Sequence, residues 1–289
     1  MRSEREMLDV ILDVARGDER IRAVIMNGSR ANPNSRPDPF QDFDIIYLVT
    51  DVAPFRRNLD WITRFGELMI LQTPDDMGDA RSRDRAGYQY LMQFTDGNRI
   101  DLMVYSIADV AALRSDSLSI PILDKDGALE GFPPPSERGY LPVEPTAKEF
   151  ADCCNEFWWV SVYVAKGLWR EHLTYARCML DQALRDELMK MLTWFIGLKT
   201  DFACNLGAFG KYFEEYLEPE LWQLLRKTYA EGDSDSTWHA LFAMCDLFRR
   251  AAIPLADHYG FRYPHEDDRR VSAHLVHVRQ LPKDAAAIY

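Results

Sequence analysis

The sequence predicts an α+β chain in two parts, a mixed β-sheet with flanking helices followed by a helical bundle. Three features predict it. As far as Tyr105, most of the apolar residues fall in short runs of strand length, bounded by turn signals. Proline then gathers at Phe132-Pro133-Pro134-Pro135, Pro142 and Pro145. Beyond that break the apolar residues recur at helical spacing over long stretches. At 289 residues and 47% hydrophobic content, the chain can bury two cores of ordinary size. The proline-rich segment is taken as the linker, giving domains at 1–138 and 139–289.

The elements follow in order. Ser3-x-x-Glu6 forms a capping box, Met7, Leu8, Ile11, Leu12, Val14 and Ala15 repeat at helical spacing, and Gly17 ends the helix. Arg22 to Met26 is a short apolar strand running into Asn27-Gly28-Ser29. A polar loop from Arg30 to Gln41 leads to a second strand, Asp42 to Thr50, which becomes apolar on both faces as a central strand does. Trp61 to Phe65 fits a short helix and Glu67 to Thr73 a further strand. Tyr88 to Phe94 and Arg99 to Tyr105 flank Thr95-Asp96-Gly97-Asn98, a hairpin signal. After the linker, Thr146-x-x-Glu149 caps a helix from Ala147 to about Glu171. Further helices are expected from Thr174 to about Lys199, from Pro219 to Tyr229, and over Ser236 to Tyr259.

Composition narrows the function. The formal net charge of −12 disfavours nucleic acid as a partner, because phosphate contacts call for a basic surface. It suits a cationic small molecule better. The charged start MRSEREMLDV has no apolar core of a signal peptide, and no uncharged apolar stretch of membrane-spanning length occurs. The five cysteines lack zinc spacing and the six histidines form no metal motif. A reducing cytoplasm is therefore expected.

One set of residues carries chemistry. Asp42-Phe43-Asp44 places two carboxylates on one face of a strand and Phe43 on the other. Carboxylates this close repel unless a cation joins them, and Mg²⁺ takes one or two carboxylates together with substrate phosphates. Asp101 interrupts the apolar run Ile100 to Val104; if its strand lies beside that of Asp42 and Asp44, it completes a site as third ligand or general base. The Gly28-Ser29 turn offers backbone N–H groups to phosphate oxygens, and Arg30 offers a charge-assisted contact to a triphosphate.

These residues resemble a known family. The segments MNGSRANPN, FQDFDIIYLV and DGNRIDL are similar to the aminoglycoside (streptomycin) 6-adenylyltransferases of the DNA polymerase β-like nucleotidyltransferase superfamily. The likeness continues through CCNEFWWVSVYVAKGLWR, Met189 to Gly197 and Leu281 to Asp284. The superfamily pattern of a glycine–serine turn and a DhDh strand is met here across a twelve-residue gap, with polar Asn27 as a departure.

The resemblance implies transfer of AMP from ATP to a hydroxyl of streptomycin with Mg²⁺, Asp42 and Asp44 as ligands, and Asp101 as base or third ligand. It implies a nucleotidyltransferase domain over 1–138 and a helical domain that closes over the nucleotide over 139–289, with substrate between them. That helical domain lends a lysine to the phosphates, for which Lys211 stands first and Lys199 second. Asp152, Glu156 and Trp159, spaced four and three apart on one helix face, are the expected aminoglycoside contacts. A monomer is expected. Two alternatives remain: the same chemistry on a protein or RNA acceptor, and a non-catalytic, antitoxin-like binding module.

Overall fold

The computed structural model describes residues 1–78 and 87–289. The chain forms two compact units, Met1–Gly139 and Tyr140–Tyr289. In the first, helix α1 (Glu4–Arg16) is held at its start by the Ser3–Glu6 capping box and buries Met7, Ile11, Val14 and Ala15. Strand β1 is Ile21–Asn27 and β2 is Phe43–Val49; a short α2 (Ala53–Arg57) follows. Next come β3 (Leu68–Gln72), β4 (Gly87–Phe94), β5 (Arg99–Ser106), a one-turn α3 (Val110–Leu113) and β6 (Ser119–Asp124).

The six strands form one mixed sheet in the order β3-β4-β5-β2-β1-β6. Only β2 and β5 pair in parallel, and their register sets Asp44 beside Asp101. On the other side, β1 runs antiparallel to β2 with Asn27 opposite Asp44.

Alternation along the strands creates two faces. Phe43, Ile45, Tyr47 and Val49 of β2 join Ile100, Leu102 and Val104 of β5 in the core beneath α1. The Tyr47 hydroxyl is buried there and donates to the Ile11 carbonyl at 2.5 Å. The opposite face carries Ala23, Ile25, Ile46 and Leu48, packed with Leu129, Met103 and Tyr105. Asp44 and Asp101 lie on this second face, at the end where its apolar rows stop.

The sequence suggested no strand over Ser119–Asp124, because Pro121 interrupts a short apolar run. Such a strand survives at a sheet edge, where the missing N–H has no ladder to break, and β6 pairs with β1 alone.

The second unit is helical. The Thr146–Glu149 capping box opens α4 (Ala147–Trp169). Helix α5 (Leu173–Cys178) passes through a π-helical segment, Met179–Leu184, into α6 (Arg185–Lys199). Short α7 (Phe213–Tyr216) and α8 (Pro219–Arg226) precede the long α9 (Ser234–Tyr259) and α10 (His265–Gln280). Phe157 of α4 stacks on Phe248 of α9 with centroids 3.8 Å apart, at the middle of the core. Helix α10 was not foreseen from sequence: it buries only Asp268, Leu275 and Val278, so its apolar stripe is too thin to register as periodicity. No helix among the described residues is long and apolar enough to cross a membrane, and the five cysteines are free thiols.

Candidate active site

Strand β1 ends at Asn27, and Gly28 turns the chain with φ at +71° into a short 3₁₀ turn, Gly28–Arg30. Here glycine is required twice over. Its φ lies in the left-handed region, and a Cβ would collide with Oδ2 of Asp44. The turn thus lets a carboxylate lie directly against backbone. The Gly28 N–H is bonded to the Leu118 carbonyl at 3.1 Å, so it is not free for a phosphate as the sequence suggested.

Asp44 sits between strands with Asn27 on one side and Asp101 on the other. Burial, and then the charges of Asp101 and Asp42, push its carboxyl up to about 6. Asp42, two residues earlier and more open, is also raised; burial raises it most, Arg99 opposes this, and Asp101 adds to it. The fold therefore holds three carboxylates in a small volume with too little positive charge to satisfy them. Arg99 supplies the direct contacts: its Nε and Nη2 each donate to Asp101 at 2.7 Å and its Nε lies 3.5 Å from Asp42, while the charge of Arg30 acts on Asp42 more weakly. Among the described residues no three acidic, imidazole or thiol groups form a ready-made metal cage. The all-oxygen donor set, its unrelieved repulsion and its partial exposure nonetheless suit a hard divalent cation entering from solvent. Asp42 and Asp44 would hold it, with Asp101 adjacent.

Arg30 is placed differently from expectation. Its Nε and Nη2 donate to the carbonyls of Asp42 and Gln41 at 3.1 and 2.8 Å, and Nη1 lies 3.3 Å from Glu4. Its guanidinium also covers the Phe43 ring at 3.8 Å. With side-chain exposure of only 8%, Arg30 fastens the loop that delivers Asp42 and presents no open charge to a triphosphate.

The remaining candidates lie in the helical unit. Asp152 and Glu156 line a hollow of about 480 Å³ with Glu149, Glu187, Lys190 and Trp194, a strongly acidic wall. Trp159 lines a second hollow of about 520 Å³, with Trp158, Arg262, Asp267 and Arg270. The three residues share one stripe of α4, but α6 flanks one part of it and α10 the other. Asn155 borders both hollows. Asp152 also pairs with Lys148, and the Trp159 indole donates to Tyr163 at 2.8 Å.

Lys211 follows the turn Ala208–Gly210, in which Phe209 has φ of +55° and is 99% exposed. Its ammonium lies over the Tyr212 ring, 4.8 Å from the centroid. Lys199, by contrast, is ion-paired to Glu218.

Sequence reasoning overlooked Arg99 and the bracing of Asn27. The Asn27 amide donates to Asp116 at 3.2 Å and accepts from the Ser119 hydroxyl at 3.0 Å, which ties the end of β1 to β6. The signal for Arg99 was present: it lies two residues before Asp101, hence on the same face.

A glycine turn at a strand end, a carboxylate pair opening the next strand and a third carboxylate on its parallel neighbour define a nucleotidyltransferase. The chain belongs to the streptomycin adenylyltransferase family, whose model matches residues 1–278, and it is an adenylyltransferase. It is 38% identical over 270 residues to aminoglycoside 6-adenylyltransferase of Bacillus subtilis, covering 93% of this chain and 95% of the relative. It is 38% identical over 270 residues to that of Campylobacter jejuni, covering 93% of each. A solved aminoglycoside 6-adenyltransferase from Bacillus subtilis is similar over 96% of this chain and 99% of its own, with 33% identity and a TM-score of 0.48.

Proposed function

We propose that the enzyme transfers AMP from ATP to the hydroxyl at position 6 of streptomycin, in the presence of Mg²⁺, and releases pyrophosphate. The observation that carries this is the register of the sheet, which sets Asp44 beside Asp101, with Asp42 just before the strand. Family membership points to the adenylyl group and to the class of acceptor.

Asp42 and Asp44 would hold Mg²⁺, which would supply positive charge to the phosphate oxygens. The chain's own residues do the rest. The Ser29 hydroxyl, at the start of the turn, donates to a phosphate oxygen, and Lys211 offers a second positive charge. Asp101 accepts the proton of the acceptor hydroxyl. That oxygen bonds to the α-phosphorus as the bond from phosphorus to the bridging oxygen breaks, and the electron pair leaves with pyrophosphate. Asp152 and Glu156 meet cationic groups of the acceptor, and the exposed Trp159 ring offers its face to another. The enzyme is proposed to act in the cytoplasm, as a monomer on small molecules; its free cysteines and its need for ATP support this reading.

The test is incubation of pure protein with ATP, Mg²⁺ and a panel of aminoglycosides, with pyrophosphate assayed and the product's substituted hydroxyl located by NMR. Streptomycin carrying AMP at position 6 is expected. Release of pyrophosphate only with other acceptors, or substitution at another hydroxyl, would contradict the assignment.

A further inference from the structure

Two arginines flank the carboxylates, and they are held in opposite ways. Arg30 is fixed by two backbone carbonyls, a carboxylate and an aromatic ring. Arg99 is held, among the described residues, only by Asp101 and Asp42. Its side chain is 39% exposed, so it can swing into solvent without opening the core.

The fork of Arg99 takes up both oxygens of Asp101 and lies beside one oxygen of Asp42, which is the place of a positive charge between those two residues. Arg99 and Asp101 are two apart on β5, so strand geometry alone brings the guanidinium to the carboxylate face. A carboxylate in a bidentate arginine pair has fewer lone pairs for a metal, and a guanidinium at this distance repels an incoming cation. With Arg30 committed to Glu4 and to two loop carbonyls, the single guanidinium of Arg99 leaves three carboxylates two charges short, the deficit that a divalent ion makes good.

We propose that Arg99 is the resident counter-ion of the site: it bridges Asp42 and Asp101 until a divalent cation arrives, yields Asp42 to that cation, and so weakens metal binding before nucleotide is present. Arg99 is a positioning residue, acting through the carboxylates. The proposal rests on the assignment of Asp42 and Asp44 as metal ligands.

The two are separated by titrating Mn²⁺ into the nucleotide-free full-length protein, following free Mn²⁺ by electron paramagnetic resonance and the metal-induced change in melting temperature. Wild type, Asp44→Asn, Arg99→Gln and Arg99→Lys are compared. Arg99→Gln is expected to bind Mn²⁺ about five-fold more tightly, the scale of a half-exposed charge pair, with a larger metal-induced rise in melting temperature. Arg99→Lys should fall between it and wild type, because it keeps the charge and loses the fork. Asp44→Asn should lose the site.

Arg99→Gln binding Mn²⁺ as wild type does, or more weakly, while Asp44→Asn loses it, would overturn the counter-ion role and leave the metal site standing. Equal binding by wild type and Asp44→Asn would overturn the metal site and the counter-ion role with it. Should Arg99→Gln fold poorly, Arg99→Lys decides, and unchanged affinity in it contradicts the proposal.

Discussion

Asp268 and Asp44 are both poorly exposed carboxylates near an arginine, and the fold treats them in opposite ways. At Asp268 donors are in surplus. Arg249 donates to both of its oxygens at 2.8 and 2.6 Å, the Tyr263 hydroxyl adds a bond at 2.8 Å, and Ser272 another at 3.0 Å. Burial alone would raise this carboxyl, but those hydrogen bonds outweigh it and hold the group below the ordinary carboxylate range. At Asp44 acceptors are in surplus: Arg99 is taken up by Asp101 and Asp42, and Asp44 is pushed up to about 6 by burial and by the charges of those two carboxylates. A satisfied buried charge holds structure together. An unsatisfied one, kept by the fold at a cost in stability, marks a place for something that binds.

The comparison can be broken at either end. The largest effect is expected from Asp44→Asn, which should lower adenylyl transfer by about 10²–10³-fold, as loss of a charge-stabilising group does. It should melt no lower than wild type in metal-free buffer, since it removes a carboxylate that its neighbours repel. A large fall in melting temperature would make Asp44 structural after all.

Asp268→Asn should do the reverse, costing about 3 kcal/mol of stability by leaving Arg249 without its anion, with transfer per folded molecule unchanged. The sign with pH follows from the depressed carboxyl. Its stabilisation is fully present above the unfolded value of about 4 and is lost as pH falls toward the lower folded value. The gap in melting temperature between wild type and Asp268→Asn should therefore narrow below about pH 4. A gap that widens there would reverse the assignment.

Gly28→Ala sharpens the contrast at its tightest contact. The new methyl meets Asp44 Oδ2 at a backbone angle suited to glycine, so the carboxylate must move. A loss of about 10²-fold in kcat is expected from such a displacement, with little change in KM for the acceptor. Unchanged kcat would show that the position of Asp44 is not critical. The smallest effect is expected from Glu156→Gln, which should raise the acceptor KM about five-fold and leave the KM for ATP unchanged, as loss of one partly exposed ion pair does. A shift in the ATP KM alone would move the acceptor elsewhere.

Much of the sheet was legible because its signals are local. The Ser3–Glu6 box, the run from Asp42 to Thr50 and the Asp96-Gly97-Asn98 turn each need only neighbours in sequence. The same alternation that buries Phe43 also puts Asp42 and Asp44 on one face. Register is not local: that Asp101 lies beside Asp44 depends on two strands pairing in parallel, which the sequence left as a condition. Arg30 misled because an arginine after a glycine–serine turn is equally suited to phosphate and to the carbonyls of a returning loop, and only packing over Phe43 decides. Helix α10 was hidden because its anchor is a charged residue, Asp268, where pattern reading looks for apolar ones.

The most direct test of the site is mass spectrometry of streptomycin after incubation with ATP and Mg²⁺, using wild type and Asp44→Asn side by side. Addition of one AMP by wild type, and none by Asp44→Asn at equal folded concentration, is the predicted result. Modification by both proteins would contradict the role given to the carboxylate site. Modification by neither, with active controls, would contradict the proposed acceptor.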